Sequence, residues 1–94
     1  MAYIRRMKIT VDDAGNIMNQ DGKDIMESYV TLGKILDWGN TADPDDAGNI
    51  LTWVKFPDEA TCDEYYNALS GVMTAGVDDG NFTILETTNE TVAD

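Results

Sequence analysis

Lys23-Asp24-Ile25-Met26-Glu27-Ser28-Tyr29-Val30-Thr31-Leu32-Gly33-Lys34-Ile35-Leu36-Asp37-Trp38 is the stretch on which the architecture turns. Wound as a helix, it gathers Ile25, Met26, Tyr29, Val30, Leu32 and Leu36 on one side. Asp24, Glu27, Ser28, Thr31 and Lys34 then take the other, and Gly39 is the stop signal. Extended from Tyr29, the same residues put Val30, Leu32, Leu36 and Trp38 on one face, interrupted by Lys34. Tyr, Val, Thr and Ile favour strands and Gly33 weakens a helix interior, so propensity tips the reading toward strand. The helix stays open as the alternative, and the choice decides whether the domain has one helix or two.

The flanking segments read more directly. In Ile50 to Phe56, Ile50, Val54 and Phe56 point one way and Leu51 and Trp53 the other. Apolar residues on both faces predict a central strand. Pro57 and Asp58 suit a helix start, and Cys62, Tyr65, Tyr66, Leu69, Val72 and Met73 follow at steps of three and four. Asp58, Glu59, Asp63, Glu64 and Asn67 lie opposite. Residues 3–11 alternate, with Tyr3, Met7, Ile9 and Val11 on one face and Arg5 among them. Asp12 to Asn16 reads as a hairpin loop, Ile17 to Gln20 as a short return strand, and Asn40 to Asn49 as a polar loop. Phe82 to Thr87 reads as the last strand.

The expected fold is therefore α+β: an antiparallel sheet of four to five strands packed by one long helix over about residues 58–75. A second helix at 23–38 joins it if that stretch is helical. Residues 1–87 form one compact domain and 88–94 a frayed acidic tail. The strand-then-helix stretch from Leu51 to Leu69 resembles half of a ferredoxin-like domain, without a diagnostic motif, and a ferredoxin-like variant is the alternative architecture.

Charge narrows the function. Eighteen acids face six bases among 94 residues, a net charge of −12. Arg5, Arg6 and Lys8 sit near the start, and no base follows Lys55, whereas residues 56–94 hold nine acids. Nucleic acid and anionic membranes bind through Lys and Arg, so direct binding to either is not expected. Cationic partners and metal ions fit better. The chain has no histidine, which removes the commonest general base and metal ligand, and its single cysteine, Cys62, precludes an internal disulfide. No signal peptide and no apolar run long enough to span a bilayer is visible, which points to a soluble cytoplasmic protein.

A phrase recurs three times, as Asp12-Asp13-Ala14-Gly15-Asn16-Ile17, Asp45-Asp46-Ala47-Gly48-Asn49-Ile50 and Asp78-Asp79-Gly80-Asn81-Phe82. Acids, a small residue and Asn before an apolar run are what a chain needs to turn into a strand. The apolar positions between copies do not superpose, which argues against a solenoid. Asp43, Asp45 and Asp46, with Gly48 and Ile50, partly match a calcium loop, but Ala47 and Val54 stand where ligands are required. Weak divalent-cation capture by Asp43, Asp45 and Asp46 is the sharper reading, and ordinary solvated turns the plainer one.

No catalytic constellation stands out. Cys62 lies on the apolar helix face without a His partner, and paired turn carboxylates lack the burial a general base needs. No cofactor motif is visible. These absences predict a non-catalytic interaction or accessory protein, of the kind phages and viruses encode, with an unknown and basic protein partner or a second copy of itself. A row of Asp58, Glu59, Asp63 and Glu64 on one helix could imitate nucleic-acid phosphates for such a partner. A small enzyme is the contrasting class, its pocket lined by Trp53, Tyr29 and Tyr66.

Overall fold

The computed structural model describes residues 2–11, 20–46, 48–78 and 82–93. Six elements follow in the order β1 (Ala2–Val11), α1 (Gln20–Thr31), β2 (Asp37–Ala42), β3 (Asn49–Phe56), α2 (Glu59–Asp78) and β4 (Phe82–Val92). The four strands form one antiparallel sheet in the order β2-β3-β1-β4. Two β-α-β halves interleaved this way, with β1 and β3 central, are the ferredoxin-like arrangement. The fold is α+β with two helices, and β3 holds the central place its two-faced apolar pattern predicts.

The deciding stretch divides in two. Its first part is helix α1, and its last residues open β2. Gly33, which weighs against a helix interior, instead lies just past the helix end, at φ +73°. Its N–H donates to the Val30 carbonyl at 3.1 Å, and the Lys34 and Ile35 N–H groups donate to the Tyr29 carbonyl at 2.9 and 3.2 Å. A glycine in this left-handed conformation caps the helix by satisfying its last carbonyls. The chain then buries Ile35, and the Leu36 N–H donates to the Lys55 carbonyl at 2.8 Å, which starts the pairing with β3. The strand formers Tyr29, Val30 and Thr31 thus form the last turn of a helix. The inward face of Ile25, Met26 and Tyr29 outweighs their propensity. Val30, Leu32 and Leu36, expected on the packed side, are exposed.

Register settles the two faces of the sheet. Tyr3 pairs with Phe56, Arg5 with Val54, Met7 with Thr52 and Ile9 with Ile50, and these residues face the helices. Trp38 pairs with Val54 and Asn40 with Thr52 across the β2–β3 ladder. Ile4, Arg6, Lys8, Leu51, Trp53 and Lys55 alternate onto the reverse face, which no described helix covers. The core is Ile35, Val54, Phe56, Cys62, Tyr65 and Leu69, with Tyr3, Ile25, Met26, Tyr29, Tyr66 and Met73 packed around it.

Three expectations need correction. Asn40 to Ala42 are strand rather than loop, because β2 pairs with β3 through Ala42. Residues 88–92 are strand rather than frayed tail, because β1 is long enough to pair Ala2 with Val92. Trp38, which the extended reading sets on an apolar face with Val30, Leu32 and Leu36, is 49% exposed, since β2 is an edge strand. The expected hairpin over 12–16 and the return strand from Ile17 lie outside the described residues, apart from Gln20, which begins α1.

Replacing Gly33 by Ala leaves room for the methyl group but forces an L-residue to positive φ. We expect Gly33→Ala to cost about 1–2 kcal/mol in urea unfolding. An unchanged midpoint would show that the α1 cap does not hold the positive φ described here.

Candidate active site

The backbone of helix α1 approaches α2 more closely than the sheet. No Cα of α1 comes within 8 Å of a strand Cα, whereas α2 approaches β1, β3 and β4. Aromatic contacts fix this arrangement. Tyr29 of α1 meets Tyr65 of α2 edge-on, with ring centroids 5.2 Å apart. Tyr65 and Tyr66 in turn pack on Phe56 of β3 at 5.6 and 6.0 Å. The Tyr29 hydroxyl donates to Glu64 Oε1 at 3.2 Å, and Lys34 Nζ donates to the same oxygen at 2.9 Å. The C-terminal end of α1 is thereby tied to α2, and the helix stands off the β2–β3 half of the sheet.

A cavity of about 290 Å³ fills the gap. Its floor is the helix-side face of the sheet, from Met7 and Ile9 of β1 through Thr52 and Val54 of β3 to Trp38 and Asn40 of β2. Tyr65, Tyr66, Leu69, Val72 and Met73 of α2 form one wall, and Lys23 and Met26 of α1 the other. Trp53 projects from central β3 toward the reverse face, and it borders the cavity where its indole lies against Gly39 of the edge strand β2. A Cβ built on Gly39 would lie 2.6 Å from the Trp53 Nε1, so the glycine leaves the space that lets this indole lie across β2. Most of the lining is apolar, with Asn40, Thr52, Lys23 and the aromatic N–H and O–H groups supplying polarity.

Beside this cavity runs a polar seam. The Arg5 guanidinium lies 4.5 Å from the centre of the Tyr66 ring, and its Nε donates to Asn89 Oδ1 at 2.8 Å. Asp63 stands 3.7 Å away. A cation on a tyrosine face is attracted by the ring quadrupole, which explains how Arg5 sits among apolar residues on the packed face.

The acids singled out from the sequence occupy other places. Asp58 caps α2, its Oδ1 accepting the Thr61 N–H at 2.8 Å and the Thr61 hydroxyl at 2.7 Å. These bonds hold its carboxyl below the usual range. Glu64 is lowered likewise by its bond to Lys34. Asp63 pairs with Arg5, and Glu59 is exposed in the first turn of α2. In the β2–β3 connection, Asp43 is buried, its Oδ1 accepts the Asp45 N–H at 2.9 Å, and its Oδ2 lies 3.4 Å from Lys8 Nζ. The Asp45 backbone bond leads the causes that lower Asp43. Asp46 Oδ1 accepts the Gly48 N–H at 3.0 Å, and Asp45 is exposed. Among the described residues, no group of three or more His, Cys, Asp or Glu is placed to hold a metal ion. Cys62 is fully buried, and burial pushes its thiol up.

Of the residues named for a pocket, Trp53 and Tyr66 line the cavity and Tyr29 packs behind Tyr65. Lys23, Trp38 and the methionines escaped notice. The signal for Lys23 was present in its isolation, as the one cation between Asp21, Asp24 and Glu27 on α1.

No protein-family model and no curated protein matches the chain. Solved structures do match it. One is provisionally described as an antibiotic biosynthesis monooxygenase from Chloroflexus aurantiacus, with TM-score 0.63 and 11% identity, over 100% of this chain and 95% of that one. Another is SnoaB, a cofactor-independent oxygenase from Streptomyces nogalater, with TM-score 0.62 and 9% identity over 99% and 94% of the two chains. A Deinococcus radiodurans protein with the same provisional description as the first gives 0.59 and 16% over 98% and 93%. Identities this low establish a shared fold, and function resides in the site. The likeness nevertheless overturns the expectation of a non-catalytic accessory protein. That expectation rested on the lack of histidine, reactive cysteine and cofactor motif, and a fold shared with a cofactor-independent oxygenase removes its premise. No described helix is long and apolar enough to cross a membrane.

All four tyrosines of the chain ionise late. Burial is the first cause in each, raising Tyr65 to about 12 and Tyr66 further still. Because the folded state raises these values, the stability they lend is complete below the ordinary tyrosine range and is lost as pH climbs through the folded values. An alkaline absorbance titration is expected to show the phenolates of Tyr65 and Tyr66 only well above the ordinary tyrosine value of 10.0, as the fold opens. A full step near that value in folded protein would place these rings in water.

Proposed function

We propose that this chain is an enzyme of the oxygenase type, which holds a small, largely apolar, ring-bearing substrate in the cavity while dioxygen reacts with it. The observation that carries this reading is the cavity itself, apolar and aromatic, walled by both helices and floored by the sheet. Its volume of about 290 Å³ lies at the lower end of the roughly 300–1,000 Å³ that ligand sites span. Likeness of fold to a cofactor-independent oxygenase supports the reaction class. Dioxygen is apolar and enters such a space without desolvation cost. The chemistry balances without an outside reductant when a substrate methylene becomes a carbonyl, since one oxygen atom enters the carbon and the other leaves as water.

Filling the cavity tests this. Small aromatic probes are expected to raise the melting temperature and quench indole fluorescence in the native chain, and to do neither in Val72→Trp or Met26→Trp. Dioxygen uptake with ring compounds bearing an activated methylene should fall in parallel. Probe binding that survives both filled variants would move the site elsewhere.

The uncovered sheet face supports a second copy as partner. Ile4, Leu51 and Trp53 are half-buried there, on β1 and β3. An apolar patch that no described helix covers is a surface that a second copy can bury under a two-fold axis. Sedimentation is expected to give a dimer for the native chain and a monomer for Leu51→Glu; a native monomer at high concentration would overturn it.

A further inference from the structure

Among the described residues the cavity is lined by a single charge, and its sign is opposite to that of the chain. Of 94 residues 18 are acids, yet no described Asp or Glu lines the cavity. Lys23 does. Four of the six bases are neutralised locally: Arg5 by Asp63, Arg6 by Glu90, Lys8 by Asp43 and Lys34 by Glu64. Lys23 has no carboxylate partner among the described residues. Partners of the right spacing are at hand. Glu27 stands four residues on, where helical ion pairs form, and Asp24 is engaged instead by Gln20 Nε2 at 2.8 Å. Lys23 instead borders the cavity as an exposed residue at its mouth, with no ion pair to its helix neighbours.

We propose that Lys23 is a specificity residue that receives an ionised oxygen of the substrate, a carboxylate or an ionised phenol, at the rim of the cavity. The inference rests on the reading of the cavity as the substrate site and names the substrate class: a ring compound with an apolar body and one acidic group. The body lies over Met7, Val54 and Tyr65, and the charge is directed to α1. Acids kept out of the lining remove local repulsion, and one unpaired ammonium offsets the field of a chain that otherwise turns anions away. The cation thus selects anionic ligands against the net charge of the molecule.

Matched probes test it on the full chain by fluorescence titration at low salt. Naphthoate supplies a carboxylate, nitrophenolate at mildly alkaline pH an ionised phenol, and naphthalenemethanol the apolar body without charge. Lys23→Met is expected to weaken at least one of the anions by about three- to ten-fold and to leave naphthalenemethanol unchanged. Which anion responds identifies the source of the charge. Lys55→Met makes the same change in net charge on the uncovered sheet face, and is expected to leave all three affinities as they were. Equal losses in both variants would reduce the effect to the general field and overturn the proposal. So would anion affinities indifferent to Lys23 while naphthalenemethanol binds, which leaves the cavity reading standing. Absence of binding by all three probes would overturn both.

Discussion

Phe56 is fully buried where β3 ends, and the rings of Tyr65 and Tyr66 close on it from α2. Everything on the helical side of the sheet hangs from this seam. It docks α2 onto the central strands, and edge-to-face aromatic packing adds about 0.5–1.5 kcal/mol per pair beyond the area buried. Tyr65 then presents a second edge to Tyr29, so the backbone of α1 lies closer to α2 than to the sheet, while Ile25 and Met26 reach in to the core. The cavity lies in the space between α1, α2 and the sheet that this spacing leaves.

Some of this architecture can be read from the chain alone, and the reasons differ by element. Helix α2 and strand β3 are legible because their apolar periods are long and unbroken: Cys62, Tyr65 and Leu69 recur at helical steps, and Val54 and Phe56 alternate with Trp53 and Lys55. The stretch from Lys23 to Trp38 resists because it holds two elements joined by a cap. Gly33 counts against a helix interior, yet serves as that helix's end, and only tertiary packing distinguishes the two roles. The end of β4 is hidden by composition, since Thr88, Asn89 and Glu90 are ordinary loop residues that become strand because β1 offers them a partner. In the site, Trp53 and Tyr66 are legible as aromatics. Lys23 shows in the sequence only as the one cation among the acids of α1; that it borders an otherwise uncharged lining depends on residues distant in sequence.

The acidity of the chain looks different once its members are placed. Asp58 ends a helix, Glu64 binds Tyr29 and Lys34, Asp43 closes a turn and faces Lys8, and Asp63 balances Arg5. These carboxylates organise backbone and fix side chains, work that turns and caps ordinarily give to acids. The phrase repeated along the chain is likewise punctuation where it can be followed, since Asp46 and Gly48 close the connection into β3.

A helix whose closest backbone approach is to another helix has an evolutionary consequence. The floor and walls of the cavity belong to three strands and two helices; Val54, Tyr65 and Leu69 also belong to the core, whereas Met7, Met26, Thr52 and Val72 stand outside the fully buried set. Methionines are unbranched and fill irregular space in many ways. Substitutions there can enlarge, narrow or re-polarise the chamber while the aromatic seam keeps the scaffold intact. Lineages that share this scaffold are thereby free to drift far apart in sequence and to exchange one substrate for another by a handful of changes. Selection for new chemistry then acts on the positions outside the core, while Val54, Tyr65 and Leu69 answer to folding as well.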